Sequence, residues 1–235
     1  MNRDWTLSRF GPKTVLCVMA AEPEYGPALR ARIRPLITGV GPVEAAAGVA
    51  HALALLQAEG ALPDLIVSLG SAGSRTLDHA RVYRVASVSY RDMDASVLGF
   101  PRGETPFPRI PAVLPLAEGP AALPTARLAT GASVVSGAAY DSVGADMVDM
   151  ETFAVVRAAA RFGVAVLGLR GVSDGRAELT ALEDWTSTLH QVDEALASAL
   201  DALSAELAAR GLAALEIPAS QSQDPAQRFA PDRTA

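Results

Sequence analysis

The stretch 147–175 constrains the fold most strongly, because it predicts a helix followed directly by a buried strand. Residues 150–161 place apolar side chains at helical spacing. Gly163 follows at the position where the end of a helix favours a residue that can adopt positive φ. Residues 164–169 form a short apolar run typical of a strand buried on both faces. A helix that returns directly into a buried strand is typical of an α/β sheet.

Three carboxylates flank this helix and strand. Asp149 and Glu151 stand at the start of the helix, and Asp174 comes just after the strand. Ligands of open α/β sheets bind at the carboxyl ends of strands and at helix N-termini, so these carboxylates are candidate site residues. A purely structural interpretation is also open. Acidic residues at a helix start stabilise it by about 0.3–1 kcal/mol each, and an Asp before a Gly is common in turns.

Composition limits the classes of protein that fit the sequence. Half of the 235 residues are hydrophobic and a fifth are charged, so the chain can bury a sizeable core. The net charge of −6 and the lack of a basic run argue against nucleic acid or a membrane as partner. Cys17 is the only cysteine, which excludes a disulfide framework and fits a cytoplasmic location. No apolar stretch reaches the roughly 18 residues of a membrane-spanning helix.

Strand and helix patterns alternate along the chain. This alternation predicts a single α/β domain with a central mixed, twisted sheet flanked by helices. We expect a loose N-terminal leader over residues 1–13 and the folded domain over residues 14–210. We expect a disordered tail over residues 211–235, whose last part is rich in Pro, Gln, Ser and Asp.

Two glycine-rich loops follow predicted strands. The sequence GVGP at 39–42 comes after a short strand candidate, and GSAG at 70–73 comes after the apolar run 65–69. Such loops can bring backbone N–H groups close to a ligand, although a plain tight turn explains each of them alone. A lone GxG also lacks the third glycine of a dinucleotide-binding fingerprint.

The combination of these motifs resembles the nucleoside phosphorylase/nucleosidase superfamily. Residues 148–154 (VDMETFA) match the V-E-M-E-A-x-A helix start of that family, and residues 169–174 (LRGVSD) match its V-R-x-x-S-D strand end. The two glycine-rich loops match its G-[IV]-G-x-V and G-[ST]-A-G-G segments, and residues 130–135 (TGASVV) match [ST]-G-x-x-F-[IV]. Over about residues 14–205, the chain most resembles the 5′-methylthioadenosine/S-adenosylhomocysteine nucleosidases of this superfamily.

The resemblance implies hydrolysis of a purine N-glycosidic bond by three carboxylates. Asp174 would be the acid that protonates the purine, Glu151 would stabilise and hold the ribose, and Glu24 would activate the attacking water. Glu22 and Glu24 both follow the first strand, and the match of the small residues favours Glu24, with Glu22 as the competing position. Taken without the resemblance, both glutamates could simply charge a helix N-terminus.

The resemblance also implies a set of substrate-binding residues. The loop at 91–100 would line the pocket for the 5′ substituent of the nucleoside and reach a dimer contact. The polar segment 175–184 suits a lid, and Trp185 either closes the pocket or anchors the final helix. The implied substrate-binding residues are Val40, Ser71, Ala72, Gly73, Ala95, Leu98, Phe100, Val134, Val135, Asp149, Met150, Arg170 and Ser173.

Three positions depart from the pattern of the family. Asp149 stands where Glu is usual, and Arg91 stands where His is common. Val134 replaces the aromatic residue that stacks on the purine, so that stacking would be weaker although Val can still cover a ring face.

The resemblance further implies a homodimer that takes an adenine nucleoside and needs no cofactor and no metal. Three alternatives stay open: a phosphorylase of the same fold, a non-catalytic nucleoside-binding protein, and a hydrolase of another nucleoside such as 5′-deoxyadenosine or a futalosine-like compound. Phosphorolysis requires a cationic phosphate cradle. The segments 39–42 and 68–71 contain no Arg or Lys, which favours water as the acceptor.

Overall fold

A computed structural model describes residues 3–222 of the chain. The strands are β1 Ser8–Phe10, β2 Lys13–Met19, β3 Leu36–Ile37, β4 Leu65–Gly73, β5 Val82–Tyr90, β6 Val113–Pro115, β7 Thr125–Thr130, β8 Met147–Asp149 and β9 Ala165–Asp174. The helices are α1 Pro27–Arg30, α2 Pro42–Ala58, α3 Thr152–Ala160, α4 Leu182–Thr186, α5 Leu189–Arg210 and α6 Ala219–Ser222. Short 3-10 helices lie at Glu22–Glu24, Ser96–Leu98, Gly137–Ser142 and Gly211–Ala214. Within this part of the chain, no helix combines the length and apolarity needed to span a membrane.

Strands β4 and β9 form the centre of the sheet. They pair in parallel from Leu65 to Gly73, and β2 pairs in parallel with the other edge of β4. Beyond β9, the sheet continues through an antiparallel pairing with β5 and then through parallel pairings of β5 with β7 and of β7 with β8. One antiparallel pair between Gly73 and Val148 returns β8 to β4, so five strands close a ring. The mixed sheet confirms the predicted α/β architecture.

Helices cover both faces of this sheet. On one face α2 and α3 pack against a buried cluster that includes Leu53 and Val166. On the other face α1 and α5 pack against a cluster that includes Leu29, Leu167 and Leu196. Because successive side chains of a strand point to opposite faces, β9 supplies both clusters from neighbouring positions. This two-sided burial explains its nearly continuous apolar sequence.

Strands β4 and β9 extend further than their apolar runs predicted. The sequence indicated a glycine-rich turn at 70–73 and a polar turn after Leu169, but β4 continues to Gly73 and β9 to Asp174. A Cβ atom on Gly70 would lie 3.2 Å from both carboxylate oxygens of Glu24, so the glycine leaves room for that side chain. The polar residues at the ends of both strands are therefore held by sheet pairing rather than by loops.

Residues outside the expected domain limits take part in the fold. Strand β1, within the expected leader, pairs antiparallel with β2. Within the expected tail, Gln221 accepts a hydrogen bond from the Val166 N–H (2.8 Å) and donates one to the Pro115 carbonyl (2.8 Å). Residues 223–235 of the expected tail lie outside the described residues.

A buried carboxylate of α5 anchors the segment that follows Glu24. Asp193 accepts hydrogen bonds from the backbone N–H groups of Ala28 (2.8 Å) and Leu29 (3.0 Å) at the start of α1. Such N–H groups have no partner within their own helix, so the carboxylate satisfies them. Gly26 approaches Asp193 so closely that a Cβ atom there would lie 2.5 Å from its carboxylate. The chain is thereby fixed two residues after Glu24.

Candidate active site

A cavity of about 440 Å³ opens where the carboxyl ends of the central strands meet. Its walls come from the end of β4 and β9, from the segments that follow β2, β5, β7 and β8, and from residues 179–185 around the start of α4. Four carboxylates belong to this lining: Glu24, Asp149, Glu151 and Asp174. The position of the cavity agrees with the rule that α/β sheets bind ligands at the carboxyl ends of their strands.

Glu24 is held by one residue of β4. Its side chain is buried, and Oε1 accepts hydrogen bonds from the backbone N–H (2.7 Å) and the hydroxyl (2.6 Å) of Ser71. Its Oε2 is buried and has no hydrogen-bond partner among the described residues. Burial raises the pKa of Glu24, while the two bonds from Ser71 and the charge of Arg170 oppose that rise. The result is a buried carboxyl group with one committed oxygen and one unpaired oxygen.

Glu22, the competing position in the sequence, lies away from the cavity. Its exposed carboxylate pairs with Arg30 at 2.7 Å, and the same guanidinium lies over the ring of Tyr25. The turn of 3-10 helix over residues 22–24 directs the two glutamates differently, which the sequence could not distinguish. Glu24 is thus the glutamate of this pair that lines the cavity.

Asp149, which is part of the cavity wall, forms a buried ion pair with Arg170, which lies behind that wall. Both side chains are 2 % exposed, and Nη2 of Arg170 lies 3.0 Å from Oδ2 of Asp149. The same carboxylate accepts hydrogen bonds from the Thr130 hydroxyl (2.5 Å), the Thr152 N–H (2.9 Å) and the Thr152 hydroxyl. The guanidinium also donates to the Ser68 hydroxyl at 3.0 Å. Both charged groups are therefore engaged with protein partners.

Glu151 lies between this ion pair and the first glycine-rich loop. Its Oε1 accepts a hydrogen bond from the backbone N–H of Gly41 at 2.8 Å, and Gly41 itself adopts a φ of +102° that favours glycine. Burial and, next, the charge of Asp149 raise the pKa of Glu151 to about 7, against the opposing effects of the Gly41 N–H and Arg170. This carboxyl group is therefore only partly ionised near neutral pH.

Asp174 ends β9 and lines the cavity. Its Oδ1 accepts a hydrogen bond from the Ser173 hydroxyl at 2.5 Å. Burial raises the pKa of Asp174, and the Ser173 hydroxyl and the charge of His79 oppose that rise. A Cβ atom on Gly73 would lie 2.3 Å from the Tyr140 hydroxyl and 2.9 Å from Oδ2 of Asp174, so only glycine fits between them.

Residues 179–185 form a wall that the sequence only partly predicted. Leu179 and Leu182 line the cavity from this segment, and whether the segment acts as a lid stays a prediction. The indole Nε1 of Trp185 donates a hydrogen bond to the Ser71 hydroxyl at 3.0 Å. The sequence left open whether Trp185 closes the pocket or anchors the final helix. Trp185 belongs to the short helix α4 and not to the final helix α5, and its side chain lines the cavity.

Most of the predicted substrate-binding residues line the cavity, but two lie behind it. Arg170 is committed to Asp149, Ser68 and Thr152, and Ser173 is committed to Asp174. Neither side chain is part of the cavity wall. The predicted binding residues that do line it are Val40, Ser71, Ala72, Gly73, Val134, Val135, Asp149 and Met150.

The predicted lining of the 5′ pocket is not found in the cavity of a single chain. Ala95, Leu98 and Phe100 lie in the loop after β5, which turns outward through the 3-10 helix Ser96–Leu98. Leu98 is 71 % exposed, and the ring of Phe100 contacts the ring of the exposed Phe107 at a centroid distance of 5.8 Å. These residues are apolar, as a 5′ pocket would need, but the path of the loop after β5 keeps them out of the cavity wall.

Arg91 is the basic residue in the described cavity wall. Its Nη1 lies 3.2 Å from the Asp92 carboxylate and 3.1 Å from the Ser133 hydroxyl, and its Nη2 donates to the Ser133 carbonyl. A Cβ atom on Gly131 would overlap the guanidinium, so that glycine makes space for it. The wall beside Ser133 therefore carries a positive charge in an otherwise acidic cavity.

The raised pKa of Glu151 predicts a pH dependence of stability. Because the folded-state pKa of about 7 exceeds the ordinary value of 4.5, the folded protein binds this proton more tightly than the unfolded chain does. The resulting stabilisation is present below the ordinary pKa and is lost as the pH rises through about 7. In urea unfolding at a series of pH values, Glu151→Gln should lose this part of the decline. Glu194→Gln, which changes an exposed carboxylate of α5, should keep the wild-type slope; equal slopes for all three proteins would contradict the assignment.

Comparisons with known proteins identify the family. The sequence profile described as the phosphorylase superfamily matches residues 29–205. No curated protein sequence matches the chain significantly. Among solved structures, futalosine hydrolase of Helicobacter pylori strain 26695 is 19 % identical with a TM-score of 0.68, and the match covers 82 % of this chain and 97 % of that chain.

Two nucleosidase structures are similar to the same extent. The 5′-methylthioadenosine/S-adenosylhomocysteine nucleosidase from Neisseria meningitidis, in complex with methylthio-immucillin-A, is 18 % identical with a TM-score of 0.63, and the match covers 79 % of this chain and 97 % of that chain. The Helicobacter pylori nucleosidase with butyl-thio-DADMe-Immucillin-A is 18 % identical with a TM-score of 0.65, and the match covers 80 % and 97 %. These low identities support the fold alone, whereas the family profile spans most of the sequence. The chain therefore belongs to the phosphorylase superfamily.

Proposed function

We propose that this protein hydrolyses the N-glycosidic bond of 5′-thio-substituted adenine nucleosides, namely 5′-methylthioadenosine and S-adenosylhomocysteine. The observation that carries the proposal is the grouping of Glu24, Glu151 and Asp174 in one cavity, each with a raised pKa. Cleavage of this bond develops negative charge on the purine and positive charge on the ribose. A proton donor, a stabilising carboxyl group and a base are therefore needed on different sides of one substrate.

Asp174 is proposed to be the proton donor. A carboxyl group whose pKa is raised by burial retains its proton closer to neutral pH, as a general acid must. The Ser173 hydroxyl holds Oδ1, which leaves Oδ2 for a purine nitrogen. Transfer of this proton to N7 neutralises the leaving base as the bond from C1′ to N9 breaks.

Glu151 is proposed to serve the ribose, with Asp149 as its electrostatic partner. In its ionised form this carboxyl group can accept hydrogen bonds from the ribose hydroxyls, and its negative charge stabilises the positive charge that develops on the ribose. The fixed charge of Asp149 adds to the stabilisation of that cation at longer range. The hydrogen bond from the backbone N–H of Gly41 keeps the Glu151 side chain in place while the positive charge develops on the ribose.

Glu24 is proposed to activate the water. Its unpaired Oε2 accepts a proton from water as the water oxygen forms its bond to C1′. The bond from C1′ to N9 breaks in the same reaction, and its electron pair stays with the purine that Asp174 protonates. Adenine and the free ribose that still carries its 5-thio substituent are the products.

Water suits this cavity better than phosphate does. A phosphate dianion needs several fixed cationic or N–H donors. Arg170 is paired with Asp149, Arg30 with Glu22, and Arg91 in the cavity wall with Asp92. Pro42 also removes one backbone donor from the first glycine-rich loop. The buried Glu24 carboxyl group would also repel an anion bound beside it.

The 5′ substituent is proposed to lie against the apolar residues of the cavity, such as Val40, Leu179 and Leu182. Futalosine is a second candidate substrate because the Helicobacter pylori enzyme of that name has the same fold. A screen of these nucleosides and 5′-deoxyadenosine with the purified protein separates the candidates.

The functional form is proposed to be a homodimer. Val97 and Leu98 expose neighbouring apolar side chains, Phe107 exposes another nine residues further on, and Val43 exposes one at the start of α2. Exposed apolar side chains of this kind favour a protein interface.

Light scattering should give about twice the chain mass of 24.3 kDa, and Val97→Asp should shift the protein toward the monomer. A fully active wild-type monomer would refute the dimer.

The Asp174→Asn variant tests the proposed acid. Asparagine keeps the shape of the side chain but has no carboxyl proton to donate, so kcat should fall by roughly 10²–10⁴-fold. Asp141→Asn is a suitable control because it changes an exposed carboxylate in a surface ion pair with Arg75. A variant at position 174 that keeps the wild-type kcat would remove Asp174 from this role.

The nature of the acceptor tests the reaction class. The assay measures adenine release from methylthioadenosine in phosphate-free buffer and again with millimolar phosphate, and it identifies the sugar by mass spectrometry. We expect equal rates and free 5-methylthioribose in both buffers. A phosphate-dependent rate with the sugar 1-phosphate as product would replace hydrolysis by phosphorolysis, and tight binding without turnover would indicate a binding protein.

A further inference from the structure

Two hydrogen bonds in series link the α4 segment to the buried glutamate, and a third bond supports them. The indole Nε1 of Trp185 donates to the Ser71 hydroxyl at 3.0 Å, and that hydroxyl donates to Oε1 of Glu24 at 2.6 Å. The backbone N–H of Ser71 donates to the same carboxylate oxygen at 2.7 Å. Three different segments, α4, β4 and the turn after β2, therefore meet at the Ser71 side chain.

The chemistry of the indole fixes the direction of the two hydrogen bonds in series. An indole N–H can only donate, whereas a serine hydroxyl has one hydrogen and can both donate and accept. While Trp185 donates to the Ser71 oxygen, that oxygen uses a lone pair for the indole and keeps its single hydrogen for Glu24. The Ser71 hydroxyl is thereby held as a donor toward Oε1.

The two oxygens of Glu24 consequently have different roles. Oε1 already accepts two hydrogen bonds from Ser71, and a proton on that oxygen would meet the donated hydrogens. Oε2 has no partner among the described residues, so it is the oxygen at which a proton can be gained or lost. Gly70 leaves the carboxylate in this orientation, because a Cβ atom there would press on both oxygens at 3.2 Å.

We propose that Trp185 is a positioning residue that couples the placement of the α4 segment over the cavity to the readiness of the base. With the indole in place, the Ser71 hydroxyl points to Oε1, and the buried Oε2 of Glu24 is the oxygen left to take a proton. Without the indole N–H, the Ser71 hydroxyl can turn and its bond to Glu24 weakens. The catalytic part of this inference rests on the proposed hydrolysis, whereas the hydrogen-bond relay itself does not.

The charged groups around Glu24 set its pKa, and a change at Trp185 would be measured as a shift of that pKa. Arg170 on β9 favours the ionised carboxylate, whereas Asp149 on β8 disfavours it, and Glu151 interacts electrostatically with Glu24. The Ser71 bonds favour the ionised form as well. A weaker bond from the Ser71 hydroxyl therefore raises the pKa of Glu24 further, and the base becomes active only at higher pH.

The first experiment detects the relay without any substrate. In the Trp5→Phe background Trp185 is the only tryptophan, so ¹⁵N-labelled protein gives one indole N–H resonance. We expect this resonance to be protected from solvent exchange, to move in Ser71→Ala, and to titrate with a carboxyl group whose pKa lies above the ordinary glutamate value. The titration should vanish in Glu24→Gln and persist in Glu151→Gln. An indole resonance that ignores Ser71→Ala, or that still titrates in Glu24→Gln, would overturn the relay.

The second experiment separates the N–H from the shape of the ring. Replacing Trp185 in the Trp5→Phe background by 3-benzothienylalanine puts sulfur in place of the N–H and keeps the bicyclic ring. We expect kcat to fall by about 3–10-fold, KM to stay within about twofold, and the acidic limb of the pH profile to move up by about half a pH unit. Trp5→Phe alone, far from the cavity, should behave as the wild type.

Two outcomes of the kinetic experiment would overturn the positioning role. An unchanged kcat and pH profile would mean that the N–H has no influence on the base. A rise in KM alone would mean that Trp185 only contacts the substrate. If no nucleoside is hydrolysed at all, the proposed function fails, and the substrate-free resonance experiment still decides whether Trp185 controls Glu24.

Discussion

The ion pair between Asp149 and Arg170 is the interaction on which the candidate site depends. Both side chains are 2 % exposed, and Asp149 also binds Thr130 of β7 and Thr152 of α3. One carboxylate therefore joins two neighbouring strands, a helix start and the last part of β9. Removal of one partner from such a buried pair typically costs about 3–5 kcal/mol, because the remaining charge is left without compensation. Asp149 does satisfy the helix start, as the structural interpretation of the sequence held, but it also determines the electrostatics of the cavity.

This fixed pair explains why neighbouring carboxyl groups can differ in protonation. The charge of Asp149, together with burial, raises the pKa of Glu151, and Arg170 only partly opposes it because its donors are engaged with Asp149, Ser68 and Thr152. Asp174 lies outside this network, and its pKa is raised mainly by burial. The protein therefore places carboxyl groups that retain protons beside one that is paired with a cation. Such separation of protonation states is what acid and base roles in a single cavity require.

The sequence predicted much of this arrangement, and its failures have physical causes. The alternation of strand and helix patterns predicted the α/β fold, because both patterns are local features of the sequence. The assignment of Glu24, Glu151 and Asp174 to one site came from the resemblance to a known family and not from any local pattern. It did not separate Arg170 and Ser173, which hold other residues, from residues that line the cavity, since that distinction depends on tertiary hydrogen bonds. The role of Trp185 depends on a contact across more than a hundred positions of sequence with Ser71. The direction of the loop that carries Ala95, Leu98 and Phe100 is likewise a property of chain geometry.

The sheet accounts for the precision of these placements. Ser71 orients Glu24, and Asp174 lies against Gly73. The proposed base and the proposed acid therefore both contact the last three residues of β4. That end is paired in register with β9, where Ser71 lies opposite Gly171 and Gly73 opposite Asp174. Strands within a sheet hold functional groups more rigidly than loops do. The α4 segment is tied to the same strand end through Trp185, so this segment and the proposed base share the hydroxyl group of Ser71. A change in the position of that segment can therefore reach the proposed base without any displacement of the sheet.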